Sequence, residues 1–384
     1  MIDQVKESFK LLYGRDAEIL VKAPGRINLI GEHTDYNGGL VLPAAIDRCM
    51  YFAFASNESQ VGNVYAKDID ESISINLNSL QKTESTWSNY LIGLLLEFQS
   101  KGISLKGFDC AFMSDIPIGA GVSSSSALEC GFAMGIDALL GSRLDRWQII
   151  EMSHHSNHNF MQIYGGILDQ FSSLFGKVCK CMLMDCSDRS FEYHDLNLEG
   201  YKIVLINTNV KHEHTTSGYN DRAHECKVIV SKLADRNPKI KFISDADLSM
   251  IEDSDNGLSE KLKRRAKYII EENERVVQFA DALKINDVNR LGELLYASHH
   301  GLRYDYEVSC SELDLLIELT RKYEAVKGAR LMGGGFGGCI IGIVEEDKTD
   351  LIVNSIMKEY QVKTGIKPES FFVNASDGAE VFVL

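Results

Sequence analysis

PGRINLIGEHTDYNGG, residues 24–39, is the stretch on which the reading of this chain turns. Within ten positions, Arg26, Asn28, Glu32, His33 and Asp35 crowd polar and charged groups among glycines and a proline. That composition is costly in a core, where every buried polar group needs a partner, and it exceeds what a loop requires. A convergent polar site is the economical explanation; a surface turn held by ion pairs leaves the density of special residues unexplained. Carboxylates such as Glu32 and Asp35 can accept hydrogen bonds from neighbouring hydroxyls of a sugar, and an arginine such as Arg26 can stabilise charge on a transferring phosphoryl group.

Two further segments carry chemistry. IPIGAGVSSSSALE, residues 116–129, places small residues between a strand and a helix start. Glycines let the backbone approach a ligand, and the free N–H groups at a helix N-terminus attract phosphate. No Gly-Lys-Ser/Thr follows, so this is not a Walker loop, and an ordinary N-cap needs one serine rather than the run Ser123–Ser126. GGGFGG, residues 333–338, formally matches a dinucleotide fingerprint, but CIIGIV after it reads as a strand where that fingerprint needs a helix. A backbone wall packed against a ligand or another loop fits these glycines better.

Working outward, the first 115 residues alternate apolar runs with turns and read as strands, interrupted by one helical stretch at 86–102 whose Tyr90, Leu91, Leu94, Leu95 and Phe98 recur at helical spacing. Helices are expected from Ser123 to about Leu140, from Arg146 to about Phe160, near 218–235, 258–284, 287–300 and 311–325, and near 349–361. Ser309 with Glu312, or Ser311 with Asp314, offers capping-box spacing ahead of the 311–325 helix. FFVN reads as the last strand. Mixed elements without strict alternation indicate an α+β protein of two domains, 1–195 and 196–384.

Composition narrows the function. A net charge of −15 over 384 residues argues against nucleic-acid and anionic-membrane partners. The amino-terminal MIDQVKESFK has no apolar leader region, and no apolar run of about 18 residues occurs; a cytoplasmic location is expected. Nine cysteines suit a reducing compartment, and Cys179, Cys181 and Cys186 read as strand residues rather than a metal site. His154, His155 and His158 read as an exposed helix face rather than zinc ligands.

The residues quoted above resemble a known family. PGRINLIGEHTDYNGG resembles the galactokinase signature, while GAGVSSSSALE and LMGGGFGGC are similar to the second and third motifs of the GHMP kinase superfamily. WSNYLIG, GGILDQFSSLFG, SGYNDR, VSCSELDLL and FFVNASDGA resemble galactokinase segments in the same order, so the likeness spans essentially the whole chain. It implies a two-domain α+β GHMP kinase fold with its active site in the interdomain cleft. The implied reaction moves the γ-phosphoryl group of ATP to the C1 hydroxyl of galactose with Mg²⁺, by a monomer or weak oligomer. On this sequence, Glu32, His33, Asp35, Gly166 and Tyr219 would hold the sugar. Arg26 would neutralise phosphoryl charge, and Asp169 would be the catalytic carboxylate. Gly119, Ala120, Gly121, Val122, Ser123, Ser124 and Ser125 would carry the nucleotide, with Trp87 and Tyr90 candidates to flank the adenine. Ser125 and Asn157 would sit at the metal.

Departures accompany the matches. Asn157 stands twelve residues before Asp169, where the family usually has a magnesium-binding glutamate; a neutral amide is a poorer ligand for that ion. Gly218, Ala223, Met332 and Gly165 replace other common residues near the substrate. They leave open a related sugar, such as N-acetylgalactosamine or a pentose. Asn157 leaves open a weakly catalytic sugar and ATP sensor.

Overall fold

A computed structural model describes residues 1–117, 119–210 and 215–384, the side chains of Thr215 and Thr216 excepted. The first half contains α1 (Ile2–Tyr13), β1 (Ile19–Asn28), β2 (Leu40–Val41), β3 (Pro43–Ser56), β4 (Val61–Ala66), β5 (Glu71–Asn76), α2 (Thr86–Ser100), β6 (Phe108–Ser114), α3 (Ser124–Leu140), α4 (Arg146–Ser156), α5 (Leu168–Phe175), β7 (Lys180–Asp185) and β8 (Phe191–Asp195). The second contains β9 (Tyr201–Asn207), α6 (Thr215–Ala234), α7 (Leu248–Glu252), α8 (Glu260–Lys284), α9 (Val288–Tyr304), α10 (Ser311–Thr320), β10 (Val326–Leu331), β11 (Cys339–Glu345), α11 (Thr349–Thr364), β12 (Glu369–Phe372) and β13 (Glu380–Val383).

The strands form three sheets, in the orders β13-β1-β3-β6-β4-β5, β10-β11-β9-β12 and β2-β7-β8. Pairing is antiparallel except between β4 and β6. In β1 and β3 buried apolar residues line up across the ladder, as at Val21 opposite Phe52. α3 packs on these strands over Phe52, Phe54 and Phe132. A second core gathers Tyr268, Ile269, Tyr306, Leu316 and Ile352 from the C-terminal helices. The result is the expected α+β architecture. Among the described residues no helix is long and apolar enough to cross a membrane.

Several local expectations change. Residues 2–13 are a helix, not part of the strand region; only Val5 and Phe9 of α1 are buried, too few to print a clear helical period. FFVN is not the last strand, because β13 returns to pair with β1. A cut at residue 195 therefore separates β13 from the sheet it completes. α10 begins after Cys310 with no side-chain cap, since Ser309 donates to Asp314 across 2.6 Å instead. The 146–160 helix is α-helical only to Ser156 and continues as a π-helical turn over Asn157–Met161, a distortion that concentrates at functional sites. CIIGIV is indeed a strand, β11.

Candidate active site

The sugar signature opens on an irregularity. The register of β1 against β3 shifts between Pro24 and Arg26, and such bulges re-aim side chains. Glycine is needed at position 25, because a Cβ there would lie 2.6 Å from the Val122 carbonyl oxygen. The bulge thereby docks onto the serine loop, and the Arg26 amide donates to Val122 O at 3.1 Å. The buried Arg26 side chain donates through Nε to Asp169 Oδ1 at 2.7 Å and through Nη1 to Gly121 O at 2.6 Å. Asp169 lies in the first turn of α5, where the helix dipole favours an anion. Its second oxygen accepts from Ser123 Oγ at 2.5 Å. One hydrogen-bonded unit thus joins the first motif, the serine loop and GGILDQ.

Beside it, Glu32 and Arg330 are a buried ion pair at 3.0 Å, and the Gly333 amide donates to the same carboxylate oxygen at 2.8 Å. Arg330 also donates to the Asn28, Leu29 and Leu331 carbonyls, tying β10 to the first motif. His33, at φ +63°, bonds Tyr36 Oη at 2.7 Å, and Tyr36 meets Tyr306 Oη at 2.9 Å. Burial, followed by the Arg222 charge, lowers the His33 pKa to about 3, so its imidazole is neutral near pH 7. Asp35 moves the other way: burial first, then the Asp169 charge, pushes its carboxyl up to about 7. Gly166 is packed against it, since a Cβ there would meet Asp35 Oδ2 at 2.2 Å. The Tyr219 ring lies 5.5 Å from that of His33, tilted by 36°. Glu32, His33, Asp35, Gly166 and Tyr219, with Gly333–Gly335, line a cleft of about 340 Å³, behind which Arg330, Tyr36 and Tyr306 hold them.

The serine loop reaches the same cleft. Gly119, Gly121 and Ser123 have φ values of +74°, +69° and +59°, while Ala120 and Val122 are buried and anchor the turn; Ile118 lies outside the described residues. Ser123 precedes α3 but makes no side-chain cap, its hydroxyl being committed to Asp169. The first N–H groups of α3 are therefore left without that cap, which is the condition for binding an anion. Ser124 and Ser125 also border a neighbouring, more apolar cavity of about 750 Å³, lined by Met50, Trp87, Tyr90, Phe112 and Leu128. Tyr90 is common to both cavities, so the aromatic pair of α2 is a cavity wall as well as core packing.

The corner below Ser125 is less complete. Asn157 lines the cleft and donates its Nδ2 to Glu129 Oε2 at 3.2 Å; Gln170 Nε2 donates to the same oxygen at 3.3 Å. Burial pushes the Glu129 carboxyl up to about 8, the two amide bonds opposing. Glu129 Oε1, Asn157 Oδ1 and Gln170 Oε1 are all buried without a partner. Here the histidine reading is corrected. Only His155 is exposed; His154 and His158 face inward, their rings 4.1 Å apart, and bond the Gly165 carbonyl at 3.2 and 2.9 Å.

The structure thus gathers Arg26, Glu32, His33, Asp35, Ser125, Asn157, Gly166, Asp169 and Tyr219 around one cleft. Sequence reasoning passed over Arg330, Tyr36, Tyr306, Gln170 and Glu129. Only the last two carried a signal, Gln170 as the neighbour of Asp169 and Glu129 as the residue one helical turn after Ser125.

An uncapped helix end, a glycine wall and a polar cleft between them define a small-molecule kinase of the GHMP type. Family descriptions agree along the chain: a galactokinase galactose-binding signature at residues 7–56, the GHMP kinase N-terminal domain at 89–177 and the GHMP kinase C-terminal region at 279–362. The chain is 42% identical to a galactokinase of Thermosipho africanus over 93% of its own length and 98% of the relative's. To a Clostridium acetobutylicum galactokinase it is 36% identical over 99% of both. A Lactococcus lactis galactokinase solved with galactose superposes with a TM-score of 0.93 at 31% identity, covering 98% of this chain and 99% of that one. A mevalonate kinase, at 17% identity and a TM-score of 0.66 over 93% of this chain and 99% of that one, shares the fold. The chain belongs to the galactokinase family of the GHMP kinase superfamily.

Proposed function

We infer that the protein phosphorylates galactose with ATP, and that the acceptor is the C1 hydroxyl. The observation that carries the reading is the Arg26–Asp169–Ser123 unit, which touches the sugar signature on one side and the serine loop on the other. In this reading Glu32, Asp35, His33 and Tyr219 bind the sugar, with Gly166 letting Asp35 sit close. Each Asp169 oxygen already accepts one hydrogen bond and has a lone pair left for the acceptor hydroxyl, whose proton it orients or takes. Arg26, fixed by Asp169 and Gly121, faces the phosphoryl group and offsets the charge that grows there. Phosphoryl transfer asks mainly for this positioning and neutralisation.

The serine loop, Gly119 to Ser125, would carry the phosphates, and the Trp87 and Tyr90 cavity is the size and character for an adenine. Ser125 Oγ and Asn157 Oδ1 are oxygen donors of the kind Mg²⁺ takes, and the unpartnered state of Asn157 Oδ1 fits a cation there. When bound, the ion supplies charge neutralisation on the phosphates. The test is direct: purified protein with ATP, Mg²⁺ and galactose should yield galactose 1-phosphate and ADP, and absence of that product overturns the reading.

One observation favours a second, broader sugar range. Gly165 and Ala223 line a cavity of about 620 Å³ adjoining Asp35 and Gly166. A panel of sugars including N-acetylgalactosamine, scored by ADP release, separates the two: galactose with the highest kcat/KM removes the broader reading.

A further inference from the structure

Resting on the reading that this cleft takes a magnesium nucleotide, the next question is where the metal finds its negative charge, because Asn157 brings none. The helix that carries Ser125 answers it. Glu129 lies four residues on, hence on the same face of α3. It is fully buried, and no lysine, arginine or histidine side chain of the described residues pairs with it. Among the described residues its polar contacts are the NH₂ groups of Asn157 and Gln170, both on Oε2.

That arrangement is unusual for a structural carboxylate. A buried charge is normally matched by an opposite charge or a full set of donors, and nearly all buried polar atoms find partners. Here three oxygens from three elements are left over together: Oε1 of Glu129, Oδ1 of Asn157 and Oε1 of Gln170. The two amide oxygens can only accept, and Glu129 Oε1 joins them once its carboxyl is ionised, which a cation alongside favours. A hard cation, with or without its water, then satisfies all three at once. By holding the NH₂ ends of the two amides, Glu129 also fixes which way their carbonyl oxygens point. Asn157 and Gln170 both line the cleft beside Ser125 and Asp169. Asn157 is set by the π-helical turn, outside the regular path of α4.

We propose that Glu129 supplies the metal-facing negative charge that Asn157 cannot, so that the divalent cation of the bound nucleotide is held over Ser125 and Asn157 with Glu129 and Gln170 behind it. The glutamate has not been lost from the site; its task has moved from the turn after α4 to the second turn of α3.

The test is Mn²⁺ binding to the whole protein in the presence of ADP, followed by the electron paramagnetic resonance of free Mn²⁺, with thermal melting and galactose affinity as measures of an intact fold. Glu129→Gln, nearly the same in shape, should weaken Mn²⁺ binding about tenfold or more, with galactose affinity unchanged. Adding Asn157→Glu to that variant should restore it. Equal Mn²⁺ affinity in Glu129→Gln and the natural protein overturns the proposal, as does a loss that Asn157→Glu fails to restore, which would make Glu129 a packing residue. If the natural protein takes up no Mn²⁺ with ADP, it is the nucleotide reading that fails. Should Glu129→Gln not fold, Asn157→Asp serves instead: severalfold tighter Mn²⁺ supports an ion over Asn157, and unchanged affinity overturns it.

Discussion

Two corners of one cleft differ in how completely they are built. In the sugar corner Arg26 faces Asp169, Arg330 faces Glu32, and Gly333 and Ser123 donate to the two carboxylates. In the metal corner Glu129 has two amides for company and three buried oxygens go unmatched, against the His33 Nε2 of the sugar corner. The first is preorganised by the fold and contributes to holding the two halves together. The second is finished by what binds there. Changes in the first should therefore register in stability and sugar binding, and changes in the second in metal dependence.

The comparison breaks soonest at the shared residue. Asp169→Ala should lower kcat by about three orders of magnitude, the middle of the range for loss of a proton acceptor, with galactose affinity by calorimetry nearly kept. A kcat within tenfold of the natural protein would remove Asp169 from the chemistry. Arg330→Met comes next. It leaves the Glu32 charge buried alone, which costs about 3–5 kcal/mol. Urea denaturation should show that loss, and the galactose KM should rise with it, because Glu32 is no longer held.

How far these corners could be read in advance depended on how local their contacts are. Arg26, Glu32, His33, Asp35 and the serine loop stand in short runs whose composition has no use in a core or a plain loop, so the sequence betrays them. Arg330 meets Glu32 across 298 positions and sits in GARLM, which reads only as a strand. Tyr306 reaches Tyr36 across 270. Nothing in either local pattern announces a partner so distant. The inward turn of His154 and His158 is hidden from the sequence for a related reason: helical spacing says that they share a face with Asn157's turn, but not that the Gly165 carbonyl covers it. Glu129 was legible as the residue one turn beyond Ser125, yet only burial without a counter-charge gives it meaning.

Smaller changes sharpen the contrast. Gly166→Ala puts a methyl group against Asp35 Oδ2 and forces that carboxylate aside. A displacement of about 1 Å in a reacting array costs up to about a hundredfold, so kcat/KM for galactose should fall by about that factor, chiefly through KM. Mg²⁺ dependence should stay put. Asn157→Glu should do the reverse, lowering the half-saturating Mg²⁺ concentration about tenfold while leaving the galactose KM alone. If either variant moves the other corner's parameter equally, the two corners are not separable.

Asp35 is the carboxyl of the sugar corner that behaves like the metal corner, half-buried and without a counter-charge of its own. Its pKa, lifted from the ordinary 3.8 to about 7, makes the folded protein hold a proton that the unfolded chain has already released. Between about pH 4 and pH 7 the native state binds more protons than the unfolded one, so this group's contribution to stability declines as pH rises through that window. Sugar binding runs the opposite way, because hydroxyl groups donate to an ionised carboxylate more strongly than to a neutral one. Galactose affinity measured by calorimetry should therefore improve severalfold as pH is raised through 7, while the melting temperature drifts down over the acidic side of that range. Asp35→Asn should flatten both trends. A galactose affinity indifferent to pH around neutrality would mean that Asp35 is already ionised without its ligand, so that sugar binding draws no proton from it.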